Sequence, residues 1–223
     1  MPTPDRPDAR RIAAVRRLLL AAAARPASAQ EPVDLPAAAA RAAALLKEHA
    51  GIAFDPAPPP VRAATLDQLT AVLRQEQETQ QKALLAPDQA RALAEKMAER
   101  MARGILGKYA LEEKAVLVLP ESLDRTARDA GLDAAGKADL LLQVLVHELV
   151  HASQDRRHGV FRRLGSIRNP EDLLVFGAVT EGHAELVSRR VAAKAGLSEK
   201  ARALVVRRSA GMPVGDAPQS VAA

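Results

Sequence analysis

The sequence predicts a mainly helical protein of α+β class, on three observations. Ala-rich segments bounded by capping residues recur along the chain. A single stretch, residues 105–119, reads as strands instead. Residues 140–155 form an apolar helix carrying a few polar groups at helical spacing. With one Tyr, three Phe and no Trp in 223 residues, Leu and Val must supply most of the core. A chain of this length can bury one good core.

Taken in order, residues 10–29 carry a basic start, a short apolar run (Leu18–Ala24) and Ala27-Ser28-Ala29 before Gln30, the layout of a secretory signal. Read so, residues 1–29 place the mature protein outside the cytoplasm, in a periplasm or beyond. Read instead as a basic tail, they leave it cytoplasmic. Asp34 followed by Pro36 opens an Ala-rich helix to about Ala50, which Gly51 stops. Asp55–Pro60 is a Pro-rich linker. Thr65 and Gln68 have the capping-box form and open a helix to about Leu85. Pro87 and Asp88 start another, ending near Gly104; both helices are read as scaffold with polar outer faces. Ile105–Leu119 is expected to form a β-hairpin turning at Glu112–Lys114 and closed by Pro120. After a short segment comes the apolar helix, stopping near Gly159, and then a basic loop of Arg156, Arg157, His158, Arg162 and Arg163, read as a solvated face. Asn169, Pro170, Glu171 and Asp172 mark the start of a further helix, which Gly196 ends.

Charge narrows the function classes. The formal +5 is uneven: residues 1–29 hold six Arg against two Asp, and the remainder holds 26 basic against 25 acidic residues, or +1. Near neutrality and scarce aromatics exclude a nucleic-acid partner. No later segment approaches the roughly 18 apolar residues of a membrane span. The lack of cysteine excludes disulfides, thiolate ligands and Cys nucleophiles.

Within the apolar helix lies His147-Glu148-Leu149-Val150-His151. Two His four residues apart stack on one face, where their imidazoles can share one Zn²⁺ at about 2.0–2.1 Å. Glu148, about 100° further round, can reach a water without being a ligand. Two satisfied core histidines are the plainer alternative, but polar groups in so apolar a helix need partners. A catalytic site requires a third ligand. The helix after Asn169 carries Thr180-Glu181-Gly182-His183-Ala184-Glu185. Glu181 is the choice, because a carboxylate buried beside two imidazoles needs a cation. Glu185 and Asp155 are placed behind the ligands, each accepting a ring N–H from one His. His183, about 200° from Glu181, is the alternative ligand. Gly182 and Ala184 are small enough to let this helix approach its partner closely. Tyr109, on the hairpin, is a candidate transition-state stabiliser as well as a packing residue.

An HExxH with a downstream Glu resembles the gluzincin group of zinc metallopeptidases. His147–Asp155 is similar to the gluzincin helix, including the Asp four residues past the second His. Glu181-Gly-x-Ala184 resembles the EGxA-type helix that supplies the third ligand in bacterial members. The hairpin with Gly107 and Tyr109 sits where such proteins place a substrate-binding edge strand. The resemblance covers residues 105–195. It departs from metzincins, which would need Gly at 154 and His at 157, and from large gluzincins in having no His or Tyr beyond residue 183.

The residues read as a helical N-terminal region over 30–104 and a disordered tail over 209–223, and the resemblance implies a zincin-like metallopeptidase domain over 105–208. The expected activity is that of a zinc metalloendopeptidase acting on a peptide or protein substrate. His147, His151 and Glu181 are its metal ligands. Glu148 is the catalytic base, taking a water proton and passing it to the leaving amine. A zinc-binding domain without turnover and a metal-free helical scaffold are the rival classes.

Overall fold

The computed structural model describes residues 34–82 and 84–211, with the side chains of Phe161 and 206–211 left aside. The signal-like segment 1–29 lies outside the described residues. Local signals set most element ends. Asp34 accepts a hydrogen bond from Ala37 N and starts α1 (Leu35–Ala50), which ends on Gly51 in the left-handed region. Thr65 and Gln68 form the reciprocal capping box of α2 (Leu66–Gln81). Pro87 occupies the first turn of α3 (Pro87–Ala102).

The sheet has three strands, one more than the hairpin expected. The strands β2 (Gly107–Ala110) and β3 (Ala115–Val118) pair antiparallel, with Lys114 at positive φ in the turn between them. Val61–Ala63, just after the Pro-rich segment, forms β1 and pairs parallel with β3, matching Val61 to Val116. The order is therefore β1-β3-β2, which leaves β2 on an edge.

Pro120, expected only to close the hairpin, instead opens α4 (Pro120–Asp129) from its first turn. The central α5 (Ala134–His158) ends on Gly159 in the left-handed region, and the short α6 (Val160–Leu164) follows. Asn169 caps α7 (Pro170–Lys194) by accepting from Asp172 N. A helix not expected, α8 (Glu199–Gly211), takes in Ser209–Gly211 from the supposed tail; the rest of that tail is outside the described residues.

Alternation along β3 divides the interior into two layers. Val116 and Val118 join a core built on Leu140, Leu145 and Leu149 of α5, with Leu46 of α1 and Val191 of α7. Leu117 faces the other way, into a cluster with Leu69 and Leu73 of α2 and Ala98 of α3. Residues 34–104 thus contribute to both sides of the sheet. Each fully buried Leu is worth about 1.5–3 kcal/mol over an exposed one. Gly107 lets the edge strand rest on α5: a Cβ there would fall 2.7 Å from Cγ1 of Val144 and 3.8 Å from Cγ of Glu148. Among the described residues no helix is long and apolar enough to cross a membrane.

Candidate metal centre

Burial of α5 fixes its ligands first. Leu145, Leu149 and Val150 are fully enclosed, which locks the rotation of the helix and turns His147 and His151 toward α7. Their Nε2 atoms lie 3.1 Å apart. From α7, Oε2 of Glu181 comes to 3.4 Å from each. A tetrahedral ion with ligands at about 2.0–2.1 Å would separate them by about 3.3–3.4 Å. Three atoms at 3.1, 3.4 and 3.4 Å therefore form one face of a tetrahedron of the right size. These three residues are a group that can hold a metal ion.

The hydrogen bonds around His151 agree with that assignment. Gln154 Nε2 donates to the carbonyl of Thr180 at 2.8 Å and meets His183 Nδ1 at 3.0 Å. Its Oε1 then faces Nδ1 of His151 at 2.8 Å. That assignment puts the proton on Nδ1 and leaves the Nε2 lone pair for a cation. Because Thr180 directly precedes Glu181, one Gln orients a His and ties down the helix that brings the third ligand. This is the role expected of Asp155, which instead accepts from the Tyr109 hydroxyl at 3.1 Å and pairs with Lys114.

On the other imidazole, Nδ1 of His147 lies 3.8 Å from Oε2 of Glu185, too long for a hydrogen bond. Both atoms are buried and have no hydrogen-bond partner. A proton on Nδ1 would need only a small movement of Glu185 to be accepted, and it too would leave Nε2 free. Glu185 also pairs with Arg189, one turn on.

Electrostatics reflect three polar groups pressed together. Burial alone would lower the His147 pKa, but the hydrogen bond to Glu181 and the charges of Glu148, Glu181 and Glu185 outweigh it and raise it. Burial would raise the Glu181 pKa, and its contacts with His147 and His151 instead hold it well below the usual carboxylate range. The Glu181 side chain is 67% exposed, so solvent screens much of this in stability terms.

Oε2 of Glu148 accepts the main-chain N–H of Tyr109 at 2.7 Å, which fixes the carboxylate against the edge of β2. Tyr109, the candidate transition-state stabiliser, has its hydroxyl engaged by Asp155, and burial followed by that carboxylate pushes its pKa up. Further along the same edge, the carbonyl of Tyr109 accepts from Lys108 Nζ at 3.3 Å. Glu76, on a helix read as scaffold with a polar outer face, is buried; it pairs with Lys108 at 2.9 Å and accepts from Leu111 N at 2.8 Å. The edge strand is thus held by Glu148 from α5 and by Glu76 from α2.

Two other expectations are corrected. His183 is exposed and meets Gln154, while it is Glu181 that groups with the two imidazoles. Gly182 faces open space, with nothing within 4 Å of where its Cβ would be, and it is Ala184, fully buried, that sits in the core. Sequence reasoning missed Gln154, although its place three residues after His151, on the same helix face, was a usable signal. It also missed Lys108 and Glu76, which no local pattern connects.

No protein-family model matches the chain, and no curated protein matches it. Among solved structures it is similar to a crystal structure from Chloroflexus aurantiacus described as a "putative hydrolase with a novel fold". Identity is 14%, the TM-score is 0.52, and the match covers 80% of this chain and 70% of that one. At that identity the likeness is one of fold.

Proposed function

We propose that this protein is a zinc-dependent peptidase of gluzincin type. The observation that carries the reading is the triangle of His147 Nε2, His151 Nε2 and Glu181 Oε2, sized for a tetrahedral ion. Glu148 lies between the two His on the same helix, where such a site needs its base. The hydrolase description of the Chloroflexus protein and the HExxH resemblance both support the reading.

When bound, zinc supplies Lewis acidity, acidifying water and polarising a carbonyl. His151 presents an unprotonated Nε2 atom through the hydrogen bond between its Nδ1 and Gln154, and His147 would do the same with its Nδ1 proton turned toward Glu185. Glu148 accepts a proton from water and returns it to the leaving amine. The N–H of Tyr109 holds the Glu148 carboxylate in place. Lys108, paired with Glu76 on the same strand edge, carries a cation coupled by charge to Glu148 and Glu181.

Glu148 also supports a second reading. Its carboxylate already satisfies a main-chain donor, an arrangement that a zinc-binding domain without turnover would equally keep. Zinc-loaded protein assayed on a mixed peptide library separates the two. Cleavage that falls by about 10²–10⁴ in Glu148→Gln while zinc content holds is the expected result. Full zinc occupancy with no cleavage by the wild type would overturn the peptidase reading and leave the binding domain.

A further inference from the structure

One turn beyond His151, α5 leaves the metal centre and enters a cavity of about 620 Å³. Ala152 and Asp155 form its α5 side, and Tyr109, whose N–H holds Glu148, is shared with the metal site. Opposite stand Phe54 and the prolines 58–60. That wall is fixed at both ends. Arg156 donates to the carbonyls of Asp55 at 2.8 Å and Ala57 at 3.2 Å, and Pro60 O accepts from Val116 N at 2.9 Å. Proline's locked φ stiffens the span between.

The charge of the cavity is one-sided. Lys114, Arg156 and Arg162 face one carboxylate, Asp155, an excess of two positive charges. Arg156 lies over the Phe54 ring at 5.8 Å, so its guanidinium is held in position. Arg162 folds over Gly159: a Cβ there, at a backbone φ of +62°, would fall 2.9 Å from its Nη2. The residues first read as a solvated basic face and a linker therefore meet, and together they enclose a space with apolar walls and a cationic rim.

We propose that this cavity is a substrate subsite for an acidic residue. Its carboxylate lies between Arg156 and Arg162, and its carbon chain packs on Phe54 and Pro60. Guanidinium groups match carboxylates in bidentate geometry, and the apolar wall of Phe54 and the prolines suits the carbon chain. This inference rests on the peptidase reading, since it assigns that enzyme a substrate subsite.

The test uses zinc-loaded full-length protein and two measurements. In the first, cleavage sites in a mixed peptide library are read by mass spectrometry for the wild type and for Arg162→Glu. The wild type should enrich Asp or Glu about tenfold at one fixed distance from the cut, the worth of one charge-assisted hydrogen bond. Arg162→Glu should lose that enrichment and keep its cleavage of neutral peptides within about threefold, since Arg162 is no part of the metal centre. Cleavage with no acidic preference, or with a preference unchanged in the variant, overturns the subsite and leaves the peptidase standing. The second measurement needs no turnover: fluorescence anisotropy of labelled peptides that differ only by Glu or Gln, titrated with Glu148→Gln protein. About tenfold tighter binding of the Glu peptide, lost in the additional Arg162→Glu variant and weakened by salt, supports the subsite even where the wild type cleaves nothing. Equal binding of the two peptides overturns it.

Discussion

Two helices of 25 residues meet at the candidate metal centre, and they are built in opposite ways. In α5 fifteen residues are buried; in α7 only four are, Ala184, Ser188, Val191 and Ala192. The first half of α7 exposes Leu174, Val175 and Val179, and Glu181 stands where that exposed half meets the buried one. The two imidazoles and Glu148 thus come from a helix whose rotation is set by packing on all sides. The third ligand comes from a helix held near that point by Ala184 and by Gln154 on Thr180 O. One part of the site is built with the core, and the other is docked onto it.

The largest expected effect breaks that contrast at its buried end. Leu145→Ala removes a fully enclosed side chain from α5 and should cost about 2–5 kcal/mol in urea unfolding. Val179→Ala, on the exposed half of α7, should stay within about 0.5 kcal/mol. Similar losses from both would mean that α7 is covered after all.

Next comes metal. Free zinc at a hundred times its dissociation constant should add about 2.7 kcal/mol to wild-type stability. Glu181→Ala should leave the metal-free protein within about 0.5 kcal/mol of wild type, because the side chain is largely exposed, and forfeit most of the zinc-dependent gain. His147→Ala should abolish stoichiometric zinc altogether, measured by elemental analysis of the dialysed protein. An undiminished zinc response in Glu181→Ala would show that the third ligand is another residue.

How much of this could be read beforehand follows the same division. The caps at Asp34, Thr65 and Asn169 and the stops at Gly51 and Gly159 were legible because each is a contact within a few residues. The spacing of His147, Glu148 and His151 is likewise internal to one helix. By contrast, β1 is three residues long and exists only because β3 lies beside it, more than fifty residues away in sequence. Pro120 both ends a strand and begins a helix, and only the second shows that α4 exists. The swap of Gln154 for Asp155 behind His151 was hidden for a third reason. Both positions are one turn past the ligand, and which one faces α7 depends on how α7 docks.

Gln154 gives a smaller effect that probes the docking itself. Gln154→Ala removes the acceptor at His151 Nδ1 and the donor to Thr180 O together. Zinc affinity should fall by about 10–100-fold, the usual cost of losing a group that orients a ligand. Asp155→Ala, acting on Tyr109 and Lys114 instead, should change zinc affinity far less, as competition with a chromophoric chelator would report. Equal losses from the two would place Asp155 back behind the ligands.

The smallest effect is electrostatic, and its sign differs with and without metal. In the metal-free protein His147 has a pKa raised above its ordinary 6.5, so its share of stability is fully present below pH 6.5 and is lost as pH rises through the raised value. Glu181, with its pKa held down, contributes above its ordinary 4.5 and loses that share as pH falls toward the lowered value. The pair therefore favours the metal-free fold most between about pH 4.5 and 6.5, by less than about 1 kcal/mol given the exposure of Glu181. Zinc reverses the trend, because protons and metal compete for the same nitrogens and a loaded site gains as pH rises. Thermal unfolding from pH 5 to 8, taken as wild type minus Glu181→Gln, should fall with pH after chelation and rise with pH in zinc. Parallel slopes in the two conditions would mean that the docked carboxylate and the buried imidazoles do not share one ion.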